Sequence, residues 1–246
     1  VASAATPGAT SDPASADPLA NRSRPMVEVD ADEFERLMTE DDDRLTVDRY
    51  TFEQTKPTVE LQPALADRAV ISRPDRPLHV PPGETVTIYL STPLWVRVYF
   101  PESDRLLCEI PCYRMSDTWF GRSTTDGELC YAARTSGRLR LDRLPIRLHR
   151  AVTPATVANS ADEPLLLERL QLPTPHLALY RSPENTLWTQ AIEMIRTQAG
   201  KGADVSVTRG SPPQISDGTL VQEPRISSKK GLFTSTFTAV ESLFGA

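Results

Sequence analysis

The segment SDTWFGRSTTDGELCYA, at residues 116–132, combines aromatic and acidic side chains and is the part of the sequence best suited to hold a ligand. A loop that pairs an aromatic ring with carboxylates can bind a sugar, a cation or a peptide. The candidate ligand-binding residues are Asp117, Trp119, Arg122 and Glu128. The alternative is structural, with Trp119 filling the core and Asp117 accepting hydrogen bonds from loop amides.

Catalytic groups are harder to find. Asp126 and Glu128 could act as paired carboxylates, but their spacing is that of an ordinary turn. The three histidines are far apart in sequence, and no nucleophile elbow, phosphate-binding loop, dinucleotide fingerprint or zinc-protease motif is present. We therefore predict no catalytic residues, and an enzyme of unknown class is the weakest of the alternatives.

The three cysteines raise the question of a metal site. Cys108 and Cys112, together with Cys130 and His149, could supply four zinc ligands. Only one pair is closely spaced, and a cysteine in a strand is often a small buried apolar residue. We therefore expect no metal and no cofactor.

Residues 134–150 are rich in arginine. Six arginines stand against the single Asp142, and they are Arg134, Arg138, Arg140, Arg143, Arg147 and Arg150. Alternation predicts a strand with Arg138 and Arg140 on one face and Leu139 and Leu141 on the other. The arginines could form a solvated strand face, or they could bind an anion or an acidic protein partner. In the second case Arg138 and Arg140 are the candidate partner-binding residues.

The last sixteen residues, 231–246, show helical spacing. Phe233, Phe237, Val240 and Phe244 would share one face of an amphipathic helix and are predicted to anchor a partner. The apolar stripe could be covered by a groove in another protein, by the domain itself or by a membrane surface. Membrane contact alone should be weak, because the opposite face carries threonine and serine rather than lysine or arginine.

The elements that must position these residues are short strands. The 246 residues include 22 prolines but only 11 glycines, and runs of alternating apolar residues are separated by turn signals. We predict an all-β fold: a β-sandwich of short antiparallel strands at 45–210. A disordered acidic arm with a short helix at 31–40 should occupy 1–44, and a linker with the amphipathic helix should occupy 211–246.

Charge and hydropathy exclude several classes of protein. Residues 1–50 hold 12 acidic side chains against five arginines, so the net charge of −6 belongs to the arm and the remaining residues sum to +1. A nearly neutral body does not favour nucleic acid as a partner. No apolar run is long enough for a membrane helix, and no signal peptide is evident, so a cytoplasmic location is expected.

The chain resembles a known family of bacterial and archaeal proteins, the domain of unknown function 432 group. The resemblance is carried by STPLWVRVY at 91–99, by the segment at 116–132, and by HRAVTPATVANSADEPLLLERLQLP and LALYRSPENTLWTQ at 149–173 and 177–190. It implies a β-rich, non-enzymatic module with no catalytic residues to transfer. Relatives encoded near small mechanosensitive channels imply an accessory role beside a membrane protein, at the periphery of the inner membrane.

Taken together, these features predict a non-catalytic interaction subunit that docks to a larger assembly. A small-ligand or sugar-binding β-sandwich that uses the Trp119 loop is the alternative.

Overall fold

The structure is a computed structural model. It describes residues 26–27, 50–51, 58–100, 105–121, 123, 125–196, 203–227 and 232–237. The predicted disorder at 1–25 and the predicted helix at 31–40 lie outside these residues. The same is true of Arg122, Val240 and Phe244.

Strands make up 55% of the described residues, and the helical elements are two short 3₁₀ turns at Leu141–Arg143 and Thr174–His176. In chain order the strands are β1 (Met26–Val27), β2 (Val59–Ala64), β3 (Val70–Pro74), β4 (Leu78–Val80), β5 (Thr85–Pro93), β6 (Trp95–Tyr99), β7 (Leu106–Pro111), β8 (Ser116–Gly121), β9 (Gly127–Gly137), β10 (Arg150–Asn159), β11 (Leu165–Leu167), β12 (Leu170–Leu172), β13 (Leu179–Arg181), β14 (Leu187–Thr189), β15 (Ile192–Arg196), β16 (Ala203–Val207), β17 (Thr219–Gln222) and β18 (Leu232–Phe237). The prediction of an all-β chain is confirmed.

The fold is organised around the antiparallel pair of β5 and β10. Nine residue pairs join them, from Thr85 opposite Ala158 to Pro93 opposite Arg150. The alternating apolar residues of β5 face inward, and Ile88 and Leu90 are fully buried. Each such side chain contributes about 1.5–3 kcal/mol through removal from water.

Most of the described strand pairs are antiparallel, as predicted, but the sheets also contain parallel pairs that the sequence did not indicate. β10 runs parallel to β14 and β15, and β3 runs parallel to β9. Parallel neighbours need a long crossover connection. Between β10 and β15 the chain provides it by passing through β11 to β14.

The sheets curl into a half-barrel where two stacked layers were predicted. Eight strands form the large sheet around β10, while β1-β2-β6-β7 and β12-β3-β9-β8 form two smaller sheets. The chain leaves the large sheet through the buried Leu94, which is the only residue between β5 and β6. This direct passage ties the four-stranded sheet of β6 to the central pair.

The arginine-rich segment does not form the predicted strand. β9 ends at Gly137, Arg138 makes an isolated bridge to Tyr89, and a 3₁₀ turn follows at Leu141–Arg143. Leu139 is consequently exposed rather than directed at a core. Alternation alone does not make a strand where no neighbouring strand accepts its hydrogen bonds.

Residues 211–227 also differ from the predicted linker. They contain β17, which pairs with β13 in the large sheet. The buried side-chain carbonyl of Gln222 accepts a hydrogen bond from the amide of Leu65 at 2.7 Å. The segment is therefore part of the folded domain.

The predicted C-terminal helix is corrected over 232–237, where the chain forms β18. This strand lies antiparallel to β16, with Phe233 opposite Val205 and Phe237 opposite Ala203. Threonine at 234 and 236 favours a strand over a helix, because β-branched side chains are restricted in helices.

Candidate functional site

The hairpin of β8 and β9 presents aromatic, apolar and acidic side chains on one side. Trp119 lies opposite Leu129, and Asp117 lies opposite Tyr131. Trp119 and Leu129 are 44% and 46% exposed, which is high for large apolar side chains in neighbouring strands. We call these four residues the Trp119 face. Exposed tryptophan flanked by apolar and charged groups is typical of protein interfaces.

The tip of the hairpin fixes the position of the indole ring. A Cβ atom on Gly121 would lie 2.1 Å from the Asp126 carbonyl oxygen, and one on Gly127 would lie 2.7 Å from Trp119 Nε1. The glycines therefore let the two strands approach closely under the ring. Trp119 Nε1 donates a hydrogen bond to the Ser123 carbonyl at 2.7 Å, so the ring is held in place at the surface.

Charged groups border the Trp119 face. The hydroxyl of Tyr131 donates to the Asp67 carboxylate at 3.0 Å, and the Arg68 guanidinium lies 5.2 Å from the centre of the Tyr131 ring. Arg68 also donates to Asp117 at 3.3 Å. Burial and the hydrogen bond to Asp67 raise the pKa of Tyr131, which keeps its hydroxyl protonated. The face thus carries an apolar centre with paired charges at one side.

The backbone of β8 is also available for pairing. The amide of Tyr131 donates to the Ala69 carbonyl at 2.9 Å, so its backbone groups point towards β3 and away from β8. Opposite such a residue, Asp117 must direct its own N–H and C=O away from β9. Two residues further on, Trp119 has the same orientation. Within the described chain β8 pairs with β9 alone, so these groups line an open strand edge.

Glu128 lies on the other side of this hairpin, because it is paired with the buried Phe120. Its carboxylate accepts a hydrogen bond from Gln171, and burial raises its pKa. Glu128 and Leu129 line a cavity of about 280 Å³ together with Arg68, His176 and other residues. The structure therefore brings Asp117 and Trp119 together on one side of the hairpin and directs Glu128 to the other side, beside a cavity that adjoins the Trp119 face at Leu129 and Arg68.

The family model described as a protein of unknown function, DUF432, matches residues 21–241. The chain belongs to the DUF432 family. No curated protein and no solved structure matches it. The family match extends well beyond the segments from which the resemblance was inferred, and it includes β17 and β18 of the DUF432 chain.

Among the residues described for the DUF432 chain, no helix is both long and apolar enough to cross a lipid bilayer. The same residues contain no group of three or more histidine, cysteine or acidic side chains placed to hold a metal ion. The three cysteines are free thiols: Cys130 is buried in β9, Cys108 is partly buried in β7, and Cys112 is exposed. Asp126 lies at the hairpin tip, where its amide donates to the Ser123 hydroxyl at 3.0 Å.

The buried thiol of Cys130 should make the stability of the folded chain depend on pH. Burial raises its pKa from 9.0 to about 11. Between these values the unfolded chain loses the thiol proton and the folded chain keeps it, so stability falls as the pH rises through this window. Two pKa units correspond to at most about 2–3 kcal/mol. The difference in urea midpoint between pH 8.5 and pH 11 should shrink in Cys130→Ala and stay unchanged in Cys108→Ala. An equal loss of stability in wild type and Cys130→Ala would refute this assignment.

Arg138 and Arg140, the two arginines predicted to bind a partner, lie in different surroundings in the structure. Arg140 is exposed, and it makes a bidentate pair with Asp142 at 2.7 and 3.0 Å. Arg138 is partly buried, and it pairs with Asp75 at 2.6 Å. They do not form one face, because no strand runs through both.

Leu129 and Tyr131 were not predicted as members of this site, although both belong to the segment at 116–132. Pairing across the Asp126-Gly127 turn is the signal that would have found them. That turn sets Trp119 against Leu129 and Asp117 against Tyr131. Arg68 lies far away in sequence and carries no such signal.

Proposed function

We propose that this DUF432 chain is a non-catalytic interaction subunit that binds an extended segment of a partner protein along β8. The observation that carries the proposal is the open edge of β8 next to the exposed Trp119. A partner strand would pair with the outward backbone groups of Asp117 and Trp119 and pack a side chain beside the indole.

The backbone edge favours a polypeptide over a sugar or another small ligand. N–H and C=O groups that alternate along a strand are matched by another strand, whose own groups repeat at the same spacing. Trp119, Leu129 and the Arg68–Asp117 pair add an apolar anchor and a polar border, as protein interfaces commonly have. The alternative, a small-ligand site, would use the cavity beside Glu128 instead.

The partner belongs to a larger assembly in this proposal. The family resemblance points to a membrane protein such as a mechanosensitive channel, with the chain docked as an accessory subunit at the cytoplasmic side of the inner membrane. The tail residues Phe233, Phe237, Val240 and Phe244 are proposed as a second contact. In the described part of the tail the backbone already pairs with β16, so this contact would extend a sheet rather than insert a helix.

The proposal predicts that one proline abolishes partner capture. In Asp117→Pro the outward N–H is lost, while the hydrogen bonds between β8 and β9 remain, because Asp117 does not donate to β9. Trp119→Ala should have a comparable effect, since truncation of a central interface tryptophan often costs about 2 kcal/mol or more, or roughly thirtyfold in affinity. The full chain is used to capture partners from the cells that encode it, and the captured proteins are quantified by mass spectrometry.

The matched control is Asp117→Ala, which removes the same carboxylate but keeps the amide. It should retain most of the captured partner, because the Arg68–Asp117 pair is exposed and such pairs contribute about 1 kcal/mol or less. If Asp117→Pro and Trp119→Ala capture the same partners as wild type, in the same amounts, β8 is not the docking edge.

A further inference from the structure

A second surface of the molecule concentrates positive charge in a pocket. Its cavity of about 180 Å³ lies where the ends of β5 and β9, the loop after β9 and the start of β10 meet. Four arginines line it, and they are Arg134, Arg138, Arg147 and Arg150. The buried Leu144 and the exposed Pro145 form an apolar wall, and Ser91 and Ser136 contribute polar groups. The pocket shares no residue with the Trp119 face.

The guanidinium of Arg150 is the strongest indication that the pocket binds an anion. It is only 8% exposed, yet no carboxylate of the described residues lies within salt-bridge distance of its guanidinium. Nη1 makes a long contact of 3.5 Å with the Ser91 carbonyl, and Nε has no hydrogen-bond partner. The Tyr113 ring lies 5.7 Å from the guanidinium carbon. Burying a charge without a partner is costly, so this side chain is suited to an anion that enters the pocket.

The neighbouring charges add to this effect. Burial and the nearby positive charge of Arg147 lower the pKa of Arg150. Among the residues that the structure describes, only Arg138 of these four arginines has an acidic partner, Asp75. Three of the four positive charges around the cavity are therefore uncompensated within the described residues.

The amount of charge distinguishes between possible anions. A carboxylate brings one negative charge, whereas a phosphate monoester brings about 1.5 to 2 and three acceptor oxygens. Arginine also binds phosphate in a bidentate manner, and several guanidiniums can share its oxygens. Three uncompensated arginines around a small cavity therefore match a phosphate better than a single carboxylate.

We infer that the pocket of Arg134, Arg138, Arg147 and Arg150 is a binding site for a phosphate monoester. The group can come from a soluble phosphorylated metabolite or from a lipid headgroup. The second source has a structural basis, because the loop beside the pocket exposes Leu139, Ile146 and Leu148, and Leu148 is 91% exposed. Aliphatic side chains next to arginines are typical of surfaces that contact anionic membranes.

The test uses the full chain and two probes. Inorganic phosphate is titrated by calorimetry at low ionic strength, and sedimentation measures binding to vesicles of phosphatidylcholine with and without phosphatidic acid. Arg147→Ala is the main variant, because Arg147 is exposed and its loss should not unfold the chain. It should weaken binding about tenfold or more, as expected for a hydrogen-bonded ion pair. Arg150→Lys should weaken binding as well, and circular dichroism verifies that it is folded.

The matched control is Arg140→Ala, which makes the same change in net charge but lies outside the pocket and is paired with Asp142. Binding of inorganic phosphate that is lost in Arg147→Ala and kept in Arg140→Ala supports the site and a soluble ligand. The same pattern seen only with phosphatidic acid vesicles supports the site and identifies a lipid headgroup. Wild-type protein that binds neither probe, or equal binding by both variants, overturns the inference. None of these results depends on whether a partner binds along β8.

Discussion

Arg225→Ala should be among the most destabilising single substitutions in this protein. Its guanidinium donates to the buried Leu65 carbonyl at 2.9 Å and to the Glu109 carboxylate at 3.0 Å. The side chains of Arg225 and Glu109 are only 14% and 20% exposed. Loss of the Arg225 guanidinium leaves the Leu65 carbonyl without this donor, at a cost of about 1–3 kcal/mol, and it removes the closer of two partners of Glu109, whose other partner is Arg97 at 3.4 Å.

Arg225 has this effect because it joins elements distant in sequence. It follows β17 of the large sheet, Leu65 follows β2, and Glu109 lies on β7. Thermal unfolding followed by circular dichroism should show a midpoint lower by on the order of 10 °C. Arg140→Ala, which removes an exposed pair with Asp142, should change the midpoint by a few degrees at most. Equal midpoints for wild type and Arg225→Ala would show that this contact does not hold the sheets together.

Asn159→Asp should have a similarly large effect on stability. Asn159 ends β10 and is almost completely buried. Its side-chain amide donates to the carbonyls of Val80 and Glu163, both at 2.8 Å, and its carbonyl accepts from the amide of Ala161 at 3.3 Å. Aspartate cannot donate when ionised and would set a negative charge against two carbonyl oxygens. Each buried polar group left unsatisfied costs about 1–3 kcal/mol.

The stability of the Asn159→Asp variant should also depend on pH. The introduced carboxyl group would be forced towards its protonated form in the folded chain, so the Asn159→Asp variant should regain stability as the pH falls from about 7 to about 5. Urea unfolding at both pH values measures this. Thr156→Val, on the same strand, removes only one partly buried hydroxyl contact with Thr87 and serves as the control. An Asn159→Asp protein as stable as wild type at neutral pH would contradict the role assigned to this side chain.

Local alternation predicted strands well where a neighbouring strand was present. Val86, Ile88 and Leu90 indicated β5, and the structure places this strand against β10 with Ile88 and Leu90 fully buried. The same type of pattern failed at Leu139 and Leu141. The chain turns after Arg138, which bridges Tyr89 of β5, and among the described residues no strand pairs with Leu139 or Leu141. A single segment cannot reveal this.

The tail shows a different ambiguity. Phe233 and Phe237 are four residues apart, and a spacing of four places two side chains on the same side of a strand as well as of a helix. The spacing could therefore not distinguish the two structures, and β18 pairs with β16. Parallel pairing of β10 with β15 was equally hidden, because it depends on the crossover between them and not on either strand alone.

The candidate sites were predictable only in part. The aromatic and acidic composition at 116–132 identified Trp119 and Asp117, but the strand register that sets Leu129 and Tyr131 beside them came from the structure. The arginine count at 134–150 pointed to an anion or acidic partner. It could not show that Arg140 is neutralised by Asp142 while Arg150 is buried without a carboxylate. Burial and pairing depend on contacts distant in sequence, so composition does not determine them.

Amide hydrogen exchange along β8 tests the central claim most directly. In the isolated chain the amides of Asp117 and Trp119 should exchange quickly, because they face the open edge, while those of Thr118 and Phe120 should be protected by β9. In the complex with the captured partner, Asp117 and Trp119 should become protected as well. If both amides are already protected in the isolated chain, or stay unprotected in the complex, a partner strand does not add to β8.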